Sequence, residues 1–181
     1  MNLFSALAEL EENDSLHEAR LMLLIHAFVG VDGEGTIDGL TKLAKLDFLL
    51  RYPVYLERAL QAKQKTTKDV HIAEHERSSI ESKMVRYRYG PWDHRYRRFI
   101  NNLAARGLVK VTMDGRAVRI GLTETGKQIG DRLAESESFE DTVRRSAVLR
   151  RHFDLKGTNL MKFIYETFPE VVDLRLGEEI G

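Results

Sequence analysis

Apolar residues fall in blocks whose spacing changes along the chain. From Ser15 to Val29, Leu16, Ala19, Leu23, His26 and Ala27 share a helical face, and Met22, Leu24 and Ile25 widen it. That pattern predicts a helix central to the core, and Ser15-Leu16-His17-Glu18 reads as its capping box. Gly30, Gly33 and Gly35 then break the helix. A second helix starts at Asp38 or Thr41 and is carried by Leu40, Leu43, Ala44, Leu46, Phe48, Leu49 and Leu50. Pro53 ends it, having no N–H to donate, and opens a third helix to about Ala62. Residues 63–80 are polar and predict a loop, one that a partner could order.

The period then shortens. Lys83 to Tyr89 alternates apolar and basic residues, as a half-buried strand does, and Gly90-Pro91 predicts a turn. Over Trp92 to Arg106, Tyr96, Phe99, Ile100 and Leu103 fit one helical face, with Gly107 placed to terminate it. Strands are expected over 108–113 and 117–122, joined by Asp114-Gly115-Arg116. Thr123 caps a helix from Glu124 to Ala134, Ser138 caps another from Phe139 to Phe153, and a last amphipathic helix follows Gly157-Thr158 and ends at Pro169. Strand, helix, hairpin, helix is the order of a winged helix-turn-helix. The expected fold is mainly α with a small β wing, a winged helix-turn-helix with additional N- and C-terminal helices. Residues 1–14 form an arm, 15–135 the winged-helix domain and 136–181 a C-terminal helical extension.

Composition narrows the function. Hydrophobic residues at 43% can build a core, and 28 Lys and Arg against 28 Asp and Glu exclude a protein that coats nucleic acid through bulk charge. With no cysteine there is no disulfide scaffold, thiolate zinc site or thiol catalysis. Residues 1–12 do not read as a secretory signal, and the run at Leu21–Ile25 is too short to span a bilayer. A cytoplasmic protein that neither enters a membrane nor carries a cofactor is expected.

The candidates for chemistry are weak. His71-Ile72-Ala73-Glu74-His75 matches the pattern of inverted zinc peptidases, but its setting is polar and no third ligand follows, so an exposed segment is expected. Asp32-Gly33-Glu34-Gly35 lacks the alternating ligands of a calcium loop, and the glycines lack the Lys-Ser/Thr of a phosphate loop. No catalytic serine setting is recognisable, and the chain is expected not to be an enzyme.

Charge is the stronger signal. Between Lys83 and Arg119 stand ten Lys or Arg residues against Asp93 and Asp114, a local excess of +8 in a neutral chain. The expected binding residues for nucleic acid or a partner are Arg86, Arg88, His94, Arg95, Arg97, Arg98, Asn101, Asn102, Arg116 and Arg119, with double-stranded DNA as a possible ligand. An acidic protein partner and a simple solvated face are the competing readings. Tyr87, Tyr89, Trp92 and Tyr96 are expected in packing and turns rather than base stacking.

Two stretches, Gly39-Leu40-Thr41-Lys42-Leu43-Ala44-Lys45-Leu46-Asp47-Phe48-Leu49-Leu50-Arg51-Tyr52-Pro53 and Leu56-Glu57-Arg58-Ala59-Leu60, resemble the middle component of bacterial ABC-three-component systems, the class that includes Lamassu anti-phage systems. Tyr87-Arg88-Tyr89-Gly90-Pro91-Trp92 and Phe163-Ile164-Tyr165-Glu166-Thr167-Phe168-Pro169 resemble the same family, in its order and over about half the chain. The resemblance implies a non-catalytic adaptor whose partners are an SMC-like or Rad50-like coiled-coil ATPase and an effector, often a nuclease, in a complex that senses foreign DNA. The wing, with Gly107-Leu108-Val109 and Leu122-Thr123-Glu124-Thr125-Gly126, is equally like MarR-type regulators. The alternative is a free-standing regulator that binds operator DNA as a dimer through its terminal helices.

Overall fold

The structure, a computed structural model, describes residues 13–78, 85–87, 90–92 and 94–173. It is mainly helical with a small three-stranded antiparallel sheet and a separate two-stranded hairpin. The order is α1 (Asp14–Val29), β1 (Ile37–Asp38), α2 (Leu40–Arg51), α3 (Pro53–Ala62), a helical turn α4 (Glu74–Ser78), β2 (Val85–Tyr87), β3 (Gly90–Trp92), α5 (Tyr96–Ala105), β4 (Val109–Asp114), β5 (Ala117–Leu122), α6 (Glu124–Ala134), a 3-10 turn (Glu137–Phe139), α7 (Glu140–Phe153), α8 (Gly157–Thr167) and α9 (Pro169–Asp173). No helix among the described residues is long and apolar enough to cross a membrane.

α1 is the hub. Leu21, Met22, Leu23, Leu24, Ile25, Phe28 and Val29 are all buried, which a single stripe could not achieve, and α5, α6, α7 and β5 pack around it. α2 lies alongside, burying Leu43, Leu46, Phe48, Leu49 and Leu50 against α7, α8 and α5. Pro53 stands at the first position of α3, where its missing N–H costs nothing. α7 and α8 fold back on α2, and Leu149, Phe153, Leu160 and Ile164 are fully buried in the same core.

Several local expectations are corrected. Ser15 and Glu18 do not form a capping box: Asn13 caps α1, its side chain accepting from the N–H groups of Ser15 (3.0 Å) and Leu16 (3.4 Å), and Glu18 turns to α5. Gly90-Pro91 is not a turn but part of β3, which pairs antiparallel with β2 in the register Val85↔Trp92, Arg86↔Pro91 and Tyr87↔Gly90. Trp92 therefore belongs to a strand, and α5 starts at Tyr96. The hairpin β2–β3 does not join the larger sheet. The third strand there is β1, two residues that pair with β5 through Ile37↔Ile120 and Asp38↔Arg119, giving the order β1-β5-β4. Ser138 lies inside the 3-10 turn instead of capping α7, and Pro169 opens α9 as well as ending α8.

The stretch 63–78 is held in place. Arg145 of α7, buried, donates from Nε to the Val70 carbonyl (2.8 Å), from Nη1 and Nη2 to the Glu76 carboxylate (2.8 and 2.9 Å) and from Nη2 to the His71 carbonyl. Glu76 also accepts the Ala73 N–H at 2.9 Å. Burial alone would raise the Glu76 carboxyl, but the bonds to Arg145 and Ala73 hold it below its usual value.

Glycine is demanded where α6 meets the hairpin. Thr123 caps α6 by accepting from the Gly126 N–H (3.0 Å) while its hydroxyl donates to the Gly107 carbonyl (2.5 Å). Gly107 itself has φ +69, the left-handed conformation expected of it. A Cβ at Gly126 would sit far inside contact distance of the Leu108 carbonyl oxygen, which is main chain and cannot step aside. Gly126→Ala should therefore cost about 1–3 kcal/mol, as overpacking does. Chemical denaturation checks this; an unchanged midpoint would show that α6 can shift.

Candidate functional site

α5 and the β4–β5 hairpin form the outward face that the sequence marked as basic. One side of α5 is anchored: Tyr96, Phe99, Ile100 and Leu103 are buried. The helix period then sends His94, Arg97, Arg98 and Asn101 to the other side, where all four are exposed. Arg95 and Asn102 are half-buried at its margins.

A buried ionic cluster sets the pose of this helix. Asp47 of α2, fully buried, accepts from Nε and Nη2 of Arg20 on α1 (2.7 and 2.9 Å), and the Tyr96 hydroxyl of α5 donates to it. Burial pushes the Asp47 carboxyl up, but Arg20, Arg51 and the Tyr96 hydroxyl outweigh it and hold the pKa below the ordinary value. Burial and the adjacent carboxylate push the Tyr96 hydroxyl well above its own. Arg20 Nη1 also lies 2.8 Å from Nδ1 of His17, which must accept because a guanidinium only donates. The His17 ring stacks on Phe99 at 5.4 Å. Three helices thus meet at one carboxylate.

The same face is partly neutralised by α1. Arg98 pairs with Asp14 (2.8 Å), Arg106 with Glu18 (3.1 Å), and Asn102 donates to Glu18 (3.0 Å). On the hairpin, Arg119 pairs with Asp114 at 2.6 Å. Arg97, Lys110 and Arg116, all exposed, form no ion pair with any described residue, and Arg116 follows Gly115 (φ +62) at the hairpin tip. The structure therefore brings Arg97, Arg98, Asn101 and Asn102 together on α5, with His94 and Arg95 in the turn that leads into it, and places Arg116 and Arg119 on the adjoining hairpin. The side chain of Arg86 and the whole of Arg88 lie outside the described residues, as do the side chains of Tyr87 and Trp92 and the whole of Tyr89.

Two features escaped the sequence reading. Asp14 and Glu18 act on α5 from 84 positions away, a relation no spacing shows. The hairpin also carries exposed apolar residues, Val111 (45%) and Met113 (66%). They share the strand face of buried Val109, and their cross-strand partners are Ile120 and Val118. The alternation was visible, but the core ends before the strand does.

The metal candidate dissolves on geometry. His71 has φ +48 and precedes α4, which starts at Glu74, so the two histidines are not one helical turn apart. Among the described residues no three His, Asp or Glu side chains are grouped to hold a metal ion. Lys45 of α2 is buried, with burial lowering its pKa to about 8, and its contact is a 3.5 Å bond to the Gly157 carbonyl. It lies in the core beside α8, away from the basic face.

The chain matches no protein-family model, curated protein or solved structure.

Proposed function

We propose that this chain is a non-catalytic winged-helix binding subunit whose α5–hairpin face engages an anionic macromolecule, duplex DNA foremost. The observation that carries the reading is the sheet order β1-β5-β4, with α5 leading directly into the β4–β5 hairpin and Arg97, Arg98 and Asn101 outward on that helix. A helix of this kind lies in the major groove with the wing alongside, and Arg and Asn are suited to phosphate and base-edge contacts. On this reading residues 53–95 are an insertion between the second and third helices of the winged-helix core.

The resemblance of Gly39–Pro53 and Leu56–Leu60 extends the proposal to an adaptor between an SMC-like ATPase and an effector in anti-phage or anti-plasmid defence. Those residues form α2 and α3, and their apolar members lie in the core. The pattern is therefore one of packing, and the docking surface lies elsewhere. The dimeric regulator is less well supported, since α7 and α8 spend their apolar faces on the chain's own core instead of a partner's.

Two measurements test this. The tagged chain co-expressed with its genomic neighbours should purify with a coiled-coil ATPase; a lone dimer would overturn the adaptor. The double variant Arg97→Ala/Arg116→Ala should bind a duplex at least tenfold more weakly, with the slope of log affinity against log salt reduced by about 2. Equal binding by the variant and the parent would remove DNA from this face.

A further inference from the structure

β4 is an edge strand. It stands last in the order β1-β5-β4, so among the described residues its outer side pairs with no other strand. The Thr123 N–H donates to the Leu108 carbonyl at 3.1 Å. By antiparallel alternation Lys110, Thr112 and Asp114 then turn their main-chain groups toward β5, and Val109, Val111 and Met113 turn theirs outward. The side chains alternate between the two faces of the strand. Val111 and Met113 lie on one face, Lys110, Thr112 and Asp114 on the other, and all five are exposed. Of the usual guards against edge pairing β4 carries one lysine; it has no proline, and its register with β5 runs residue for residue without a bulge.

We propose that β4 pairs antiparallel with β4 of a second copy of this chain, about a two-fold axis at Thr112. Lys110-Val111-Thr112-Met113-Asp114 is self-complementary in that register. Val111 exchanges main-chain hydrogen bonds with the second copy's Met113, and Met113 with the second copy's Val111. On one face these four apolar side chains join in a single stripe. On the other, Lys110 meets the second copy's Asp114 at both ends and the two threonines meet at the axis, all of them pairs that stabilise a sheet. Lys110 forms no ion pair with any described residue. Asp114 is paired with Arg119 at 2.6 Å, but its side chain is 65% exposed and open to a second cation. An axis at Val111 would set Lys110 against Thr112 and lose both ion pairs, and an axis at Met113 would set it against Arg116. The charges thus select a second copy over an unrelated strand, which need carry no acid where the lysine arrives. The seam is the sheet, not the terminal helices of a dimeric regulator, and the pairing does not rest on the function proposed above.

Sedimentation equilibrium of the full chain tests this. The strip is small, so weak association is expected, with the mean mass rising from one chain toward two between about 1 and 500 μM. A single-chain mass throughout would overturn the proposal. Lys110→Asp sets acid against acid twice and should weaken pairing about tenfold. Asp114→Lys, with lysine against lysine, should do the same. Mixed together, the two variants should associate as the parent does, because every acid again meets a lysine. No recovery in the mixture would overturn the register. The chain has no cysteine, so introduced thiols give a second readout. Thr112→Cys brings two of them to the axis, on Cα atoms about 4.5 Å apart and within bridging distance, and mild oxidation should link the copies. Ala117→Cys is exposed on β5 and leaves β4 intact. It should link about tenfold more slowly, its sulfurs lying beyond the reach of a bridge. Equal rates would mean random collision and would overturn the proposal.

Discussion

Asp47→Ala is expected to lose about 3–5 kcal/mol of stability, the range for breaking a buried ion pair. Against a total of about 5–15 kcal/mol for a domain, that is a large share. The reason is that one carboxylate satisfies groups on two other helices. Without it Arg20 keeps a charge with a side chain only 17% exposed, and the Tyr96 hydroxyl loses its acceptor in a fully buried site. The partial exposure of Arg20 places the loss nearer the lower end of the range. Urea denaturation measures it directly. Tyr96→Phe, which removes the hydroxyl alone, serves as the control and should cost about 1 kcal/mol. Equal losses in the two variants would show that the ion pair contributes nothing beyond the hydrogen bond.

The pH dependence follows with a definite sign. The folded-state pKa of Asp47 lies below the ordinary carboxylate value. Its contribution is therefore complete above about pH 3.9, the unfolded value, and lost as pH falls through the lower folded value. The gap between the parent and Asp47→Ala should be constant near neutrality and close only in strong acid. A gap that closed between pH 5 and 7 would assign the effect to another group.

Arg145→Ala should have the second largest effect and a different character. It removes the donors to Val70, His71 and Glu76 together, leaving two carbonyls and a carboxylate to find water. Glu76 is 26% exposed and can partly rehydrate, so a cost of about 2–4 kcal/mol is expected, between a charged hydrogen bond and a buried pair. The signature should be local. Trypsin should cut within Lys65–Arg77 at least tenfold faster than in the parent, because opening of this stretch no longer has to break the Arg145 bonds. A global loss of stability with no faster nicking would mean that α7 packing, not the loop, depends on Arg145.

Much of the fold was legible because it is local. The break at Tyr52–Pro53, the stripe of Tyr96, Phe99, Ile100 and Leu103, and the hairpin around Gly115 each follow from residues within a few positions of one another. The third strand was not legible. Ile37–Asp38 is too short to show a period, and only pairing with Ile120 and Arg119 makes it a strand. The cap failed for a related reason: Glu18 had a better partner in Asn102 and Arg106 than the helix end could offer. The candidate face was legible as a run of cations, but its net character was not, since Asp14 and Glu18 come from a different part of the chain. A loop read as polar turned out to be pinned by an arginine 69 residues further on.

That separation in sequence also governs how the molecule is made. Tyr96 must find Asp47 across 49 residues, and Asn102 must find Glu18 across 84. Each closure costs entropy before any contact rewards it, which slows folding in chains dominated by distant pairs. α1 and α2 can meet early, through Arg20 and Asp47. α5 arrives later on a surface the first two helices have already prepared, so during synthesis the basic face exists only once the chain has emerged well past Arg106.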